Sequence, residues 1–292
     1  MTLTYGFLKA CVTDTPTTQG TDKPAQHETQ YHAPTKLRTK EIVGVRFSIF
    51  AISLFLSGAA AAQQSCVAPT SLSDTAYDVK PENEKDACLR KQVKKAPDFN
   101  MLVFSWSPGF CKSQKGANNK IPEHLKFQCE ENKFGWVVHG LWAELINPET
   151  CVSDPVRPDK TTPLHPRYCG GDMPQLPETL VRANMCMMPG SSLIQGEWEK
   201  HGACIFKEPD AYFAKINELR AQLILPESNM PQSQLFAWMR EHNPILKGIS
   251  LDYNPKGNEL HVCYSTAWKP IDCPGKPTAP VPSLKKVPGA NI

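Results

Sequence analysis

The chain has 292 residues, of which 40% are hydrophobic and 21% are charged, and its formal net charge is +3. This composition fits one folded domain of catalytic size with additional segments, and it excludes a fibrous protein and a wholly disordered chain. So small a net charge provides no broad electrostatic surface for duplex nucleic acid. We therefore expect no stable DNA binding, and only local recognition of any anionic substrate.

The first 62 residues differ from the rest of the chain. Residues 1–45 are predicted to be unstructured, because the polar stretch within them lacks the hydrophobic period of a folded element. Arg46 then leads an apolar run that ends at small residues, which predicts a secretory signal peptide over 46–62, cut after Ala62. A membrane anchor is the alternative, although the run is shorter than the about 20 apolar residues that span a bilayer.

The predicted signal peptide indicates a secreted or periplasmic protein with no membrane attachment after cleavage. Because residues 1–45 precede the signal, we hypothesise that they are a gene-model artefact and that the true start lies downstream of Met1. The part that remains after cleavage has 26 Lys and Arg residues against 25 Asp and Glu residues, so it is nearly neutral.

Cysteine counting supports an exported protein. The chain has 11 cysteines, and ten of them follow the predicted cleavage site. An even number in an exported chain predicts a disulfide framework of up to five bridges, whose pairing the sequence leaves open. Zinc binding is the competing interpretation, but the mature part contains no C-x2-C pair and no H-E-x-x-H sequence, so we expect no metal site.

Three segments are predicted after the signal peptide. Residues 63–97 are polar and are expected to form a loosely structured extension, pinned by Cys66 and Cys88, which could pair with each other. A compact domain is predicted over 98–274, followed by a proline-rich tail over 275–292.

Helices and strands alternate in the compact domain without a regular βαβ repeat. β-Forming residues predict strands at 101–106, broken at 107–109, and at 134–142, ending at Gly140; a long loop follows over 146–177. Helices are expected at 177–188, 193–206, 210–225 (behind an Asp210 cap) and 233–242, and further strands at 249–254 and 259–265. This order predicts an α+β fold with a mainly antiparallel sheet, several helices and disulfide bridges.

The segment GEWEKHGAC, residues 196–204, concentrates chemical groups. On a helix, Glu197 lies one turn before Lys200 and His201, so the three side chains share one face. A surface ion pair with a capping histidine is the simpler interpretation. A thiol nucleophile at Cys204 is a further alternative, but the even cysteine count and the predicted export argue against it.

A second histidine strengthens the catalytic interpretation. His139 ends the apolar run of a predicted strand, and an imidazole titrates near pH 6.5, so one histidine of a pair can accept a proton while the other donates one. Lys200 could stabilise negative charge on a phosphorane, and Glu197 could hold an imidazole or a phosphoryl oxygen. No metal or cofactor is needed if the nucleophile is the 2′-hydroxyl of RNA, and Trp142 is placed to stack on a base.

The segments WVVHGLW (136–142) and LIQGEWEKHGAC (193–204) resemble the two active-site segments of the ribonuclease T2 family. The resemblance extends to SWSPGFC (105–111), DAYF (210–213) and VCYSTAWKPIDCP (262–274). It implies that His139 and His201 are the acid–base pair, with Glu197 and Lys200 assisting.

The resemblance also implies the course of the reaction. His201 is assigned as the base for the 2′-hydroxyl and His139 as the acid for the leaving 5′-oxygen. The products would be 2′,3′-cyclic phosphate and then 3′-phosphate ends.

Two further expectations come from the resemblance. Cys263 is expected to pair with Cys273, and Cys204 with Cys151 or Cys169. Ala143 stands where the family has a proline, which would stiffen a loop that carries Trp142, so this departure concerns base preference and not the catalytic residues.

The sequence thus predicts an exported, metal-independent and cofactor-free endoribonuclease that acts on single-stranded RNA as a monomer. The alternative is a secreted disulfide-rich binding protein that keeps a catalytically silent ribonuclease-like fold. The complete set of two histidines, a glutamate and a lysine favours the enzyme.

Overall fold

The computed structural model describes residues 66–116, 118–152 and 161–275. The predictions for the signal peptide, for the segment before it and for most of the proline-rich tail lie outside the described residues. Within the described residues the fold is α+β, as predicted, with an antiparallel sheet and several helices. No helix among them combines the length and apolar character that a membrane crossing requires.

The described helices and strands follow one another in a mixed order. The strands are β1 (Phe99–Trp106), β2 (Trp136–Glu144), β3 (Glu149–Val152), β4 (Thr161–Leu164), β5 (Asp252–Asn254), β6 (Glu259–Ser265) and β7 (Pro270–Ile271). The α-helices are α1 (Ala87–Arg90), α2 (Ser107–Ser113), α3 (Glu178–Asn184), α4 (Ser191–Lys200), α5 (Pro209–Ala221) and α6 (Gln232–His242). Short 3-10 turns cover Pro81–Asn83, Glu123–Leu125, Gly202–Cys204 and Pro244–Leu246, and a π-helical turn covers Phe127–Glu131.

The central sheet is antiparallel, in the order β2-β1-β6-β5, with β7 also paired to β6. Alternation places Leu102 of β1 beside Leu141 of β2 and Val262 of β6, and all three are fully buried. This face packs on a core to which α4, α5 and α6 contribute, among others, Ile194, Phe213, Ile216, Leu219, Leu235 and Met239. The residues that alternate with these along the strands, such as Trp142 and Glu259, therefore project from the opposite face of the sheet.

Several predicted boundaries were wrong. The first predicted strand does end before Ser107-Pro108-Gly109, as expected, but it begins two residues earlier, at Phe99. The segment itself begins α2, because a proline suits the first turn of a helix. The predicted loop 146–177 contains β3 and β4, which pair antiparallel. Helix α5 begins at Pro209 with Asp210 in its first turn, so Asp210 is not its cap.

The second strand also extends further than predicted. It does not end at Gly140 but continues to Glu144, so Trp142 lies on a strand and not on a loop. Ala143 pairs with Asn100 of β1 and is fully buried. A proline at this position would therefore stand within a strand, where Ala143 fits without disturbing the pairing.

Residues 66–97 pack closely on the domain, so the expectation of a loosely structured extension was wrong for them. Tyr77 is buried, and its hydroxyl donates to the carbonyl of Leu176 at 2.7 Å. Val93 is buried and exchanges two backbone hydrogen bonds with Arg167. These contacts make the segment a part of the folded unit.

Five disulfides join all ten cysteines of the described residues. The pairs are Cys66–Cys186, Cys88–Cys151, Cys111–Cys129, Cys169–Cys204 and Cys263–Cys273. The expected Cys263–Cys273 pair is confirmed, and Cys204 takes the second of its two expected partners. The pairing of Cys66 with Cys88 was wrong, since each links the N-terminal segment to a different part of the domain. Cys204 is consequently not a free thiol.

Candidate active site

A β-bulge in β2 carries His139. Val103 and Phe104 are neighbours on β1, but their partners on β2 are Gly140 and Val138, so His139 is left without a partner on β1. A bulge bends the strand and redirects the extra side chain. The His139 side chain keeps 31% of its surface exposed and is thus accessible to a substrate.

Glu197, in the last turn of α4, lies directly against this bulge. Its Oε1 is 3.4 Å from His139 Nε2, and its Oε2 accepts a hydrogen bond from Trp142 Nε1–H at 2.7 Å. Gly140 makes this approach possible, because a Cβ at that position would overlap the Glu197 carboxylate. The glycine after His139 is therefore a packing requirement of the site.

His201 follows α4 as its C-cap, with φ −122° and ψ −46°, and its side chain is buried. Its ring stacks on Trp142 with a centroid distance of 5.1 Å and an interplanar angle of 23°. Trp142 also contacts His139 edge-on at 5.3 Å. One indole thus connects the two histidines and Glu197.

Lys200 is the last residue of α4 and is half-buried. Its carbonyl accepts a hydrogen bond from the Tyr168 N–H at 3.0 Å, which fixes the backbone beside His201. Its positive charge contributes to the lowered pKa values of Glu197 and His201. The structure therefore brings together all five residues that the sequence identified: His139, Trp142, Glu197, Lys200 and His201.

Tyr212 of α5 forms hydrogen bonds with the backbone of β2 at Leu141, between His139 and Trp142. Its hydroxyl accepts a hydrogen bond from the Leu141 N–H at 3.1 Å and lies 3.3 Å from the Leu141 carbonyl, to which it donates. A Cβ at Gly202 would come within 2.9 Å of the Tyr212 ring and 2.6 Å of Trp198. The glycine after His201 therefore lets α5 pack closely enough for Tyr212 to reach β2.

The environment of His139 favours its charged form. Burial opposes protonation, but the nearby Glu197 and Glu259 carboxylates outweigh it and raise the pKa of His139 to about 10. Burial likewise opposes ionisation of Glu197, yet His139 together with His201 and Lys200 lowers the pKa of this carboxyl. His139 is thus a cation between two carboxylates at neutral pH.

The environment of His201 favours its neutral form. Burial lowers the pKa of His201 to about 3, against the opposing attraction of the Glu197 carboxylate. Its Nδ1 is buried and has no hydrogen-bond partner within the described part of the chain. Nε2 is therefore the nitrogen available for accepting a proton.

Two residues of the site were missed by sequence reasoning. Glu259 of β6 places Oε1 2.6 Å from His139 Nδ1, and His261 lies two residues further along the same strand face. The predicted strand over 259–265 places these two residues on one face, but nothing in the sequence indicates which strand neighbours His139. Only the sheet order β2-β1-β6 reveals the contact.

A cavity of about 390 Å³ opens beside His139. Its walls combine apolar groups, such as Phe110 and Leu193, with polar groups, including His124, Lys256 and Glu259. Such a mixture of apolar surface and a few polar groups is typical of a small-molecule or nucleotide subsite.

A separate group of three carboxylates has its oxygen atoms close enough together to be considered as metal ligands. Ligand atoms of Asp78, Asp172 and Glu199 lie within 4.8 Å of one another. Lys80 forms ion pairs with Asp78 and Asp172, so a cation of the protein already compensates this charge. The group includes none of the five residues identified from the sequence.

Comparison with known proteins relates the chain to ribonucleases. The model of the ribonuclease T2 family matches residues 97–242. A protein of Haemophilus influenzae described as a probable ribonuclease is 41% identical over 202 residues, which are 68% of this chain and 68% of that protein. Ribonuclease I of Escherichia coli is 31% identical over 160 residues, covering 46% of this chain and 58% of the relative.

Among solved structures, an RNase-related protein from Calystegia sepium covers 63% of this chain and 94% of its own length, at 13% identity and a TM-score of 0.42. The family match extends over half of the chain, and it includes β1, β2 and α4 with His139, Trp142, Glu197, Lys200 and His201. The Haemophilus influenzae relative shares two residues in five over a still longer stretch. The chain therefore belongs to the ribonuclease T2 family and is an enzyme of the ribonuclease T2 type.

Proposed function

We propose that this site cleaves single-stranded RNA by transphosphorylation, with His201 as general base and His139 as general acid. The observation that carries the proposal is the difference in surroundings of two histidines that contact one indole ring: His139 lies between two carboxylates, whereas His201 is buried beside Trp142. Two titratable groups whose environments separate their pKa values in this way are suited to opposite roles in one reaction.

In the first step, His201 Nε2 removes the proton of the 2′-hydroxyl, and the 2′-oxygen attacks the adjacent phosphorus. The bond from phosphorus to the 5′-oxygen breaks as His139 Nε2–H donates its proton to that oxygen. A 2′,3′-cyclic phosphate and a free 5′-hydroxyl result. The nucleophile belongs to the substrate, so the step requires no metal and no cofactor.

In the second step the histidines exchange roles. Neutral His139 accepts a proton from water, which attacks the cyclic phosphate, and protonated His201 returns its proton to the 2′-oxygen. The product is a 3′-phosphate, and both histidines regain their starting protonation states. Lys200 and Glu197 assist by stabilising charge on the phosphoryl group and by holding His139.

The cavity beside His139 suits the nucleoside on the leaving side. Because His139 protonates the 5′-oxygen, the nucleoside attached to that oxygen must lie next to it, and the cavity opens there. Trp142 has one ring face covered by His201, so base stacking, as predicted from the sequence, would use another part of the indole. Only a single strand can place a base in such a cavity without first unpairing it.

The disulfides support export to an oxidising compartment. All ten cysteines in the described ranges are paired, and disulfides persist mainly in secreted or periplasmic proteins. We infer that the signal predicted at 46–62 directs this export, that 98–274 is the catalytic domain, and that the enzyme acts as a monomer. Residues 66–97 belong with that domain structurally, through two disulfides.

The test incubates the oxidised protein with single-stranded RNA at about pH 5 to 7 in excess EDTA and identifies the new 3′ ends by mass. We expect cyclic phosphate and then 3′-phosphate ends, at a rate that EDTA does not change. Intact RNA from a folded, oxidised sample would instead favour the binding-protein alternative. Loss of activity in EDTA that added metal restores would contradict metal independence.

A further inference from the structure

We propose that Glu259 is the positioning residue for His139. Its carboxylate accepts the Nδ1–H of His139 and holds the ring with Nε2 directed toward the reacting phosphate. This inference rests on the proposed function of His139 as general acid, and it adds to that function a residue outside the two segments by which the family resemblance was identified.

The contact itself defines the direction of the ring. Glu259 Oε1 lies 2.6 Å from His139 Nδ1, whereas the Ser105 hydroxyl lies 3.5 Å from the same nitrogen. An ionised carboxylate can only accept, so Nδ1 must carry the proton in both the cationic and the neutral imidazole. The proton that is exchanged with substrate is consequently the one on Nε2, which faces Glu197.

The Glu259 carboxylate is itself held in place. Its Oε2 accepts a hydrogen bond from Asn254 Nδ2 at 2.8 Å. Gly257 leaves room for it, since a Cβ there would lie 2.6 Å from Oε2 and 2.7 Å from Cδ of Glu259. The turn between β5 and β6 is therefore shaped around this side chain.

Charges behind Glu259 keep it ionised. His261 Nε2 lies 3.9 Å from Glu259 Oε2, a distance of electrostatic attraction and not of a direct hydrogen bond, while His261 Nδ1 contacts Asp252 at 3.0 Å. Burial opposes protonation of His261, but Asp252 and Glu259 raise its pKa. Burial also opposes ionisation of Glu259, yet His139, His261 and Asn254 hold the pKa of Glu259 well below its usual range.

The groups that face His139 come from several elements. Glu197 approaches from α4, Glu259 from β6 and Ser105 from β1, and His124 and Lys256 line the same cavity. Two members of this set reach Nδ1, the ring nitrogen on the other side of the imidazole from the proton-transfer atom, and Glu259 is the charged and closer one, at 2.6 Å against 3.5 Å for Ser105. A carboxylate in that place sets the tautomer and stabilises the imidazolium.

The chain offers a matched control in Glu144. This buried carboxylate of β2 contacts His165 Nδ1, so it forms the same kind of buried carboxylate–imidazole pair without touching His139. Glu144→Gln should alter stability at most, whereas Glu259→Gln should alter catalysis.

The experiment compares kcat, KM and the pH profile of the wild type, Glu259→Gln and Glu144→Gln on a dinucleotide substrate. For Glu259→Gln we expect kcat to fall about 10- to 100-fold with KM little changed. The loss is smaller than the roughly 10⁴-fold found where a single carboxylate orients the histidine, because Glu197 still faces the ring. The alkaline limb of kcat/KM should move to lower pH by about 1 to 3 units, since a neighbouring anion is removed.

Gly257→Ala provides a second variant, which keeps the carboxylate but displaces it, and it should change kcat and the alkaline limb in the same directions. A folded Glu259→Gln protein with the wild-type kcat and alkaline limb overturns the inference. If neither variant folds, an NMR spectrum of the wild type with ¹⁵N-labelled histidines decides. A protonated Nδ1 of His139 with a downfield proton resonance supports the contact, and an unprotonated Nδ1 overturns it. Failure of the proposed function would be distinct: the wild type would then leave RNA intact or, if the two histidines had the opposite roles, an activated aryl leaving group would restore the rate of His201→Ala and not that of His139→Ala.

Discussion

His139 and His201 contact the same indole ring, yet their surroundings differ in almost every respect. His139 lies on a strand bulge, partly exposed, between two carboxylates that favour its cation. His201 caps a helix, is buried, and has no hydrogen-bond partner for Nδ1 among the described residues. Since the two side chains are identical, the groups that surround each imidazole determine which histidine acts as the acid and which as the base.

Removal of each imidazole in turn is the strongest test of the two opposite roles. His139→Ala and His201→Ala should each lower kcat by about 10² to 10⁴, the usual contribution of a positioned acid or base. His242→Ala is the matched control, because His242 is exposed and stacks on Trp238, outside the site. Activity of either site variant at the wild-type level would contradict the two-histidine mechanism.

An activated substrate separates the two roles. A uridine 3′-phosphodiester with an aryl leaving group needs little protonation of its leaving oxygen, so the general acid becomes dispensable. His139→Ala should then recover most of its lost rate relative to the wild type, and His201→Ala should not. Recovery in His201→Ala instead would reverse the assignment of acid and base.

How far the sequence could predict this site depends on the type of contact. Glu197 and His201 were found together because their spacing on one helix is a local property. The Glu259–His139 contact joins residues that are 120 positions apart and depends on sheet order, which local patterns do not encode. The bulge at His139 is likewise a consequence of pairing register between two strands.

The fold likewise divides into local features that the sequence predicts and long-range contacts that it does not. The helix predicted at 210–225 is a local property of the sequence, since Phe213, Ile216 and Leu219 recur at helical spacing, and in α5 all three are buried. The N-terminal segment 66–97 is polar in sequence, and its packing arises from two disulfides and a few buried side chains whose partners lie far along the chain. Composition could not reveal either of these long-range constraints.

Gly140→Ala tests whether the carboxylate beside His139 must approach so closely. The new Cβ would overlap the Glu197 carboxylate, so we expect a loss of about 1 to 3 kcal/mol in the free energy of unfolding and a roughly 10- to 100-fold lower kcat. Gly196→Ala is the control, because its Cβ would meet only Val79 at ordinary contact distances. Calorimetry and initial rates on a dinucleotide measure both effects. Unchanged kcat in Gly140→Ala would show that the Glu197 contact is dispensable.

Trp142→Phe changes the contacts of the indole with the two histidines and Glu197 more conservatively. A phenyl ring can still stack on His201, but the indole N–H that binds Glu197 at 2.7 Å is lost. A hydrogen bond to a charged group is worth about 1.5 to 3 kcal/mol, which corresponds to roughly a 10- to 150-fold change in rate if all of it is lost in the transition state. Because only part of it is lost there, kcat should fall by roughly tenfold, and the change should appear in the titration of His139. An acid limb that moves while the alkaline limb stays would place the effect on His201 instead.

The smallest expected effect is the response of the wild-type enzyme to pH. His139 is active as a cation and, with a pKa of about 10, loses its proton only in alkaline solution; His201 is active when neutral and, with a pKa of about 3, gains one only in strong acid. The value of kcat/KM, which reports the free enzyme, should therefore vary by less than about threefold from pH 5 to 8. Two unperturbed imidazoles with pKa values near 6.5 would instead give a bell that falls about eightfold at either end. A narrow bell centred near pH 6.5 would mean that the carboxylates and the burial around the histidines do not separate their pKa values, and with that the physical basis for distinguishing acid from base would be lost.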